Sequence, residues 1–144
     1  MDQIMAEHPL QFPAFVRSRY PERWNEYLNA RDDRRSGYYV AQADEVAGHA
    51  GYVLNEEAGL YEIVGVAVSK NRQRQGIGVQ LIKTICNKLH SLGEDQVILY
   101  TLGHIGNEDT LHFYRNIGFK ETLLEKDFFK ADFHRVTFIK DLPF

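Results

Sequence analysis

The spacing of apolar and polar residues predicts a helical first part followed by a run of strands. Trp24, Tyr27 and Leu28 recur at helical spacing after Pro21, a residue that suits the first turn of a helix. Three β-rich runs then follow one another at short spacing, with polar turns between them, which is typical of an antiparallel meander. The strands are predicted over residues 37–42, 46–54 and 60–68.

The second half of the chain alternates helix and strand. Its predicted elements are a helix over 78–92, a buried strand over 96–102, a helix over 107–116 and strands over 119–124 and 134–140. Because strand, helix and strand follow one another across 60–102, the third and fourth strands are predicted to lie parallel through a right-handed crossover. The predicted fold class is α/β of the α+β type. It is one domain over residues 1–144, with a mixed, mostly antiparallel sheet and helices on both faces.

Composition and charge exclude several classes of protein. A chain of 144 residues with 44% hydrophobic residues fits one globular domain. Its apolar runs are too short to cross a bilayer and its acidic N-terminus is unlike a signal peptide, so a cytoplasmic protein without membrane contact is expected. A net charge of −3 without a basic stripe argues against nucleic acid and favours a cationic acceptor only weakly. Cys86 is predicted to be a buried, inert thiol, and the histidines lack metal-ligand spacing, so no metal is expected.

The most informative chemistry lies where the third strand meets the next helix. The segment 62–78, EIVGVAVSKNRQRQGIG, passes from an apolar strand into a basic turn with Gly76 and Gly78. Such a turn directs backbone N–H groups and the positive end of a helix dipole at one point, which suits a phosphate or pyrophosphate. No Lys-Ser/Thr pair follows Gly78, which excludes a P-loop, and Leu81 stands where a dinucleotide fingerprint needs glycine. The remaining pattern is Gln-x-x-Gly-x-Gly, beginning at Gln73.

Two segments in order resemble one protein family. The strand and turn, with VQLIKTICNKL after them, resemble the coenzyme-A-binding motif of the GNAT (Gcn5-related N-acetyltransferase) superfamily. The segment 107–119, NEDTLHFYRNIGF, resembles the family's Asn-x-x-Ala-x-x-x-Tyr-x-x-x-Gly-Phe helix, with Thr110 in place of alanine. The resemblance implies a GNAT-like sheet and an acetyl-CoA-dependent N-acetyltransferase. Its substrates would be acetyl-CoA and a primary amine of a small molecule or peptide, and it would need no metal.

The resemblance also implies where the coenzyme binds. The pyrophosphate would lie on the N–H groups of the glycine turn. The pantetheine arm would pair with the backbone of Val66 and Val68, beside Gly65, which suits a β-bulge. Asn107 would bond the pantetheine arm, cap its own helix, or do both. The coenzyme-binding residues so predicted are Val66, Ala67, Val68, Gln73, Arg74, Gln75, Gly76, Ile77, Gly78, Val79, Asn107 and Tyr114.

Two residues are predicted to be catalytic. Tyr114 matches the family tyrosine near the coenzyme A sulfur, where a phenol can act as general acid; the alternative is a packed core aromatic. Glu62 stands at the same distance from Gln73 as the general-base glutamate of the histone acetyltransferase branch; the alternative is a side chain facing water. Strict alternation predicts that Glu62, Val64 and Val66 share a face of the strand. The Val66 N–H is the expected oxyanion donor.

The acceptor side is less defined by the sequence. The family usually begins with a strand that is short or missing here, because only DQIM precedes the helical region. His104, after the fourth strand, either contacts the acceptor or is an ordinary loop histidine. Phe128, Phe129 and Phe133, in the predicted connection between the last strands, would cover the acceptor, form a homodimer contact or pack as a satellite core. A non-catalytic acyl-CoA-binding sensor is the alternative to an enzyme.

Overall fold

The helices and strands of the protein follow the predicted order. The computed structural model describes residues 1–30, 32–42, 44–73, 75–103 and 107–144. The elements are α1 (Asp2–Ala6), α2 (Ala14–Arg17), α3 (Tyr20–Ala30), β1 (Ser36–Gln42), β2 (Val46–Asn55), β3 (Leu60–Val68), a 3₁₀ turn (Lys70–Arg72), α4 (Ile77–Ser91), β4 (Gln96–Leu102), α5 (Glu108–Asn116), β5 (Lys120–Lys130) and β6 (Phe133–Asp141). Strands β3 and β4 have the predicted bounds. None of the described helices is both long and apolar enough to span a membrane.

The strands form one six-stranded sheet in the order β1-β2-β3-β4-β6-β5. The pair β3–β4 is parallel and the other neighbours are antiparallel, as predicted. In the described part of the chain no strand precedes β1, and the short helix α1 occupies the beginning instead. The mixed sheet with one parallel pair is therefore confirmed.

The parallel pair opens halfway along its length. Cα partners join β3 and β4 only from Tyr61–Val97 to Ile63–Leu99, although β3 continues to Val68 and β4 to Leu102. The two strands therefore diverge beyond Ile63. The resulting gap gives side chains and ligands access to the middle of the sheet.

A β-bulge lies in β3 where this gap begins. His49 pairs with Ala67 and Gly51 with Val64, so two residues of β3, Gly65 and Val66, stand opposite one residue of β2. Gly65 has φ of 63°, a left-handed conformation that glycine adopts without steric cost. The bulge predicted at Gly65 is confirmed.

The bulge corrects the predicted faces of β3. Val64 packs in the cluster with Phe12 and Tyr20, whereas Val66 packs with Ile63 in the cluster on the other side of the sheet. The expectation that Val64 and Val66 share a face was wrong, because the extra residue of the bulge reverses the alternation beyond Gly65.

Two clusters of buried side chains cover the sheet. The larger one contains the apolar stripe of α4 together with Tyr114, Phe119 and Phe138, and the smaller one contains α1 and Tyr20 of α3. Cys86 lies in the larger cluster with no exposed surface, and burial raises the pKa of its thiol to about 11. The thiol therefore stays protonated at neutral pH, as expected of a buried, inert cysteine.

Candidate active site

A groove runs along the end of β3 and the beginnings of α4 and α5. Its volume is about 650 Å³. The predicted coenzyme residues that line it are Val66, Ala67, Val68, Gln73, Gly76, Ile77, Gly78, Val79 and Tyr114. Gln75 lies instead beside Tyr39 and Val40 in a separate shallow cavity, and Arg74 lies outside the described residues. Most of the predicted coenzyme residues thus meet at one surface.

The beginning of α4 directs backbone N–H groups into this groove. Gly76 is the N-cap residue, with φ of 77°, and the first helical bond runs from Gln80 N to Gly76 O at 3.0 Å. The N–H groups of Ile77, Gly78 and Val79 precede that bond and have no carbonyl partner within the helix. Unpaired N–H groups of this kind, at the positive end of a helix of 15 residues, suit an anion.

Gly78 allows α4 and α5 to come close together beneath the groove. A Cβ atom at position 78 would lie 3.3 Å from Cζ of Phe113, a residue of α5 that lines the groove. Gly76 is different, because a Cβ atom there would meet nothing within 4 Å. The first glycine is thus favoured by its positive φ, and the second by a close neighbour that would have to shift by a few tenths of an ångström to admit a Cβ atom.

Two side chains from the N-terminal segment cover the free edge of β3. Gln11 Nε2 donates to the Val66 carbonyl oxygen at 3.1 Å, and His8 Nε2 lies 2.7 Å from that of Val68. Both residues line the groove, and these two carbonyls belong to the stretch predicted to pair with the pantetheine arm. Sequence reasoning missed His8 and Gln11, because nothing in their local pattern indicates contact with a strand more than 50 residues away.

Asn107 lies at the predicted N-cap position of α5 but does not cap it. The side chain makes no hydrogen bond to the helix N–H groups, and its Nδ2 donates to the Leu102 carbonyl at the end of β4. Asn107 is buried and is not among the described residues that line the groove. The predicted N-cap position of Asn107 is therefore confirmed without a side-chain capping bond, and contact with the pantetheine arm stays a prediction.

A second cavity lies on the other side of the gap between β3 and β4. Its volume is about 300 Å³, and α3, β3, β4 and the β5–β6 pair contribute its walls. Gln11, Val66 and Tyr114 line both this pocket and the groove. The two cavities therefore adjoin each other at these three residues.

Tyr114 is packed at this junction and not at the surface. Its side chain is 4% exposed, and its ring contacts those of Phe113, Phe119 and Phe138 at centroid distances of 5.3, 5.6 and 5.7 Å. Burial raises the pKa of its phenol, which therefore stays protonated at neutral pH. The packed core aromatic is therefore confirmed, Tyr114 also lines both cavities, and its role as general acid stays a prediction.

Glu62 lines the second pocket. Asn55 Nδ2 donates to its Oε1 at 3.2 Å. Burial raises the pKa of the carboxyl, although Arg23, Asn55 and Arg135 partly oppose this shift. A raised pKa brings a carboxylate closer to the basicity that a general base needs near neutral pH.

The three phenylalanines of the predicted aromatic cluster, Phe128, Phe129 and Phe133, do not all line the pocket. Phe128 and Phe129 line the pocket, whereas Phe133 packs edge-on against Phe15 at 5.4 Å. Since β5 extends to Lys130, Phe128 and Phe129 lie on a strand, which corrects the predicted connection. His104 lies outside the described residues.

The chain belongs to the GNAT family of acetyltransferases, because that family's model matches residues 1–119. YvbK, an uncharacterized N-acetyltransferase of Bacillus subtilis, is 32% identical over 107 residues, and the match covers 73% of this chain and 63% of YvbK. This chain therefore spans less than two thirds of the length of YvbK.

Solved structures share the fold along nearly the whole chain. A protein from Desulfovibrio desulfuricans assigned to the GNAT family has a TM-score of 0.83 at 22% identity, over 95% of this chain and 87% of that one. An acetyltransferase of Bacillus subtilis crystallised in complex with CoA has a TM-score of 0.71 at 25% identity, over 99% and 93%. Acetyltransferase activity and CoA binding are therefore supported at the level of the family.

Proposed function

We propose that this protein transfers an acetyl group from acetyl-CoA to a primary amine of a small molecule or peptide. The observation that carries the proposal is the meeting of groove and pocket at Gln11, Val66 and Tyr114. A thioester held in the groove and an amine held in the pocket would meet at this junction. Proximity of this kind turns a reaction between two molecules into one within a single complex.

The groove offers different chemistry to the two ends of coenzyme A. The N–H groups of Ile77, Gly78 and Val79 would hold the pyrophosphate, and Arg72, which also lines the groove, would add positive charge. The backbone of β3 between Val66 and Val68 would pair with the amides of the pantetheine arm. For this the arm must share or replace the contacts that His8 and Gln11 make with the two carbonyls.

The transfer needs one bond made, one broken and two proton movements. The amine nitrogen attacks the acetyl carbonyl carbon, and the Val66 N–H stabilises the resulting oxyanion. Glu62, directly or through water, accepts the proton that the nitrogen loses as the C–N bond forms. The C–S bond then breaks, and Tyr114 donates a proton to the departing sulfur. The products are an amide and free coenzyme A.

The test is thiol release from acetyl-CoA over a panel of amines, with calorimetric measurement of CoA binding on the same preparation. We expect CoA binding and acetylation of at least one amine, identified by mass spectrometry. Tight CoA binding without turnover on any amine would overturn the proposal in favour of a non-catalytic sensor. Absence of CoA binding would overturn both.

A further inference from the structure

The acceptor pocket carries a charge opposite to that of the whole chain. Three arginines, Arg19, Arg23 and Arg135, line it together with one carboxylate, Glu62. The chain as a whole has a formal net charge of −3. Local charge decides which molecules enter a small pocket, so the weak expectation of a cationic acceptor does not describe this site.

Two of the three arginines lack a carboxylate partner. In the described part of the chain, neither Arg19 nor Arg23 has a carboxylate oxygen within ion-pair distance. Arg135 differs, since its Nε and Nη2 lie 2.8 and 2.7 Å from Oε1 of Glu125. Arg23 also attracts the Glu62 carboxylate, so the positive charge that no contacting carboxylate neutralises in the pocket is that of Arg19 together with part of that of Arg23.

Aromatic rings hold the three guanidinium groups at the pocket wall. Arg23 lies 5.1 Å from the centroid of Tyr20, and Arg19 lies 5.9 Å from that of Phe129. Arg135 lies 3.7 Å from the centroid of Phe128. Arg23 also hydrogen-bonds the Tyr20 hydroxyl, but a guanidinium has five N–H donors, and two adjacent donors match the two oxygens of a carboxylate or phosphate.

We propose that the acceptor is a small amine that also carries a carboxylate or a phosphate-type group, which Arg19 and Arg23 bind while the amine points towards Glu62 and Tyr114. This inference rests on the proposed acetyltransferase function and names its substrate class. The cavity of about 300 Å³ lies at the lower end of the range for small-molecule sites, which favours a metabolite-sized acceptor. Diamines are disfavoured because their second ammonium would face arginines.

The test compares amines that share a scaffold and differ in one group. Two amine scaffolds are used, a 3-aminopropyl and a phenylalanine-like one. On each, the second functional group is a carboxylic acid, a phosphonate, an alcohol or a second amine, and acetylation is assayed by thiol release. We expect kcat/KM for the acid or the phosphonate to exceed that of the alcohol at least about tenfold, since one charged hydrogen bond is worth roughly that factor. The ratio of kcat/KM for the acid to that for the phosphonate shows which of the two anions the pocket prefers.

Variants then assign the preference to the arginines. Arg23→Gln should raise KM for the anionic amine by about 10- to 100-fold and bring the acid-to-alcohol ratio towards one, and Arg23→Glu should shift the preference to the diamine. Arg34→Gln, at an exposed arginine outside the pocket, is the matched control and should leave the ratio unchanged. Retained CoA affinity in each variant shows an intact fold.

The outcomes separate the two proposals. Alcohols or diamines acetylated as well as the anionic amines would overturn the acceptor class and leave the acetyltransferase intact. An unchanged acid-to-alcohol ratio in Arg23→Gln and in the equivalent Arg19→Gln would likewise overturn it. No turnover on any scaffold despite CoA binding would overturn the proposed function itself, and the acceptor class with it.

Discussion

The groove proposed for coenzyme A and the pocket proposed for the acceptor share Tyr114, yet they are built in different ways. Most residues that line the groove lie between Val66 and Val79, and this stretch offers a ligand mainly backbone N–H and C=O groups. The pocket is formed by side chains that lie as far apart in sequence as Gln11 and Arg135. A groove that binds through its backbone can keep the same cosubstrate when many of its side chains are substituted. A pocket that binds through its side chains changes its ligand preference when those side chains change.

The two regions also differ in how they provide positive potential. The groove relies on the helix dipole and N–H groups of α4, which remain whatever the pH. The pocket relies on Arg19 and Arg23 and contains the titratable Glu62. We therefore expect turnover to depend more strongly on pH than CoA binding does.

The largest expected effect is the loss of coenzyme binding in Gly76→Asp. The carboxylate would project into the groove at the anion site, so CoA affinity measured by calorimetry should fall by at least about 100-fold. Gly59→Asp is the matched control, because Gly59 also has a positive φ, 69°, and open space around its Cβ direction, in the turn before β3. Equal CoA affinity in the two variants would show that the glycine turn does not bind the coenzyme.

The second effect concerns the junction. Tyr114→Phe should lower kcat by roughly 10²–10³-fold with CoA affinity nearly unchanged, since it removes only the donor hydroxyl. Tyr52→Phe is the control: it removes another buried hydroxyl, which donates to the Asp33 carbonyl at 2.7 Å, outside both cavities. That variant should lose stability without a comparable loss of turnover. A Tyr114→Phe enzyme with wild-type kcat would exclude the phenol from the chemistry.

The third effect concerns the pocket alone. Glu62→Gln should lower kcat/KM by about 10²-fold near neutral pH, as expected for a lost general base. Burial raises the pKa of Glu62, so the wild-type kcat/KM should fall in acid at a higher pH than it would with an ordinary glutamate as base. In the Glu62→Gln variant this acid-side fall of kcat/KM should be absent. Glu56→Gln, at an exposed glutamate in the β2–β3 turn, should keep the wild-type profile. An unchanged profile in Glu62→Gln would assign the base elsewhere.

The smallest effect is on stability. The pKa of Glu62 is higher in the folded than in the unfolded protein. The contribution of Glu62 to the free energy of unfolding is therefore most favourable below the unfolded pKa and is lost as pH rises through the folded pKa. Glu62→Gln should therefore have a higher Tm than wild type at pH 7, and the difference should vanish below about pH 4. The buried His49, whose pKa is lowered to about 4 by burial, affects both proteins equally and cancels in the difference. A Tm difference independent of pH would contradict the raised pKa.

The fold was predictable from sequence where local pattern and tertiary contact agree. The bounds of β3 and β4, the bulge at Gly65 and the parallel crossover all follow from residues close together in the chain. The faces of β3 were predicted wrongly beyond the bulge, because alternation was carried through a residue that interrupts it. Asn107 occupies the predicted N-cap position, but its side chain donates to the Leu102 carbonyl and makes no capping bond, a choice of partner that local sequence does not reveal.

The sequence by itself determined the strand, the glycine turn and the helix beginning that form most of the groove, because these lie in one continuous segment of the chain. It also determined Tyr114 and Glu62 as candidates. Only the tertiary structure decided that Gln11 and His8 contact the β3 edge and that Arg19, Arg23 and Arg135 surround one pocket. The physical reason is that these sites join segments far apart in the chain, 60 residues for His8 and Val68 and 55 for Gln11 and Val66, and packing, not local spacing, brings such side chains together.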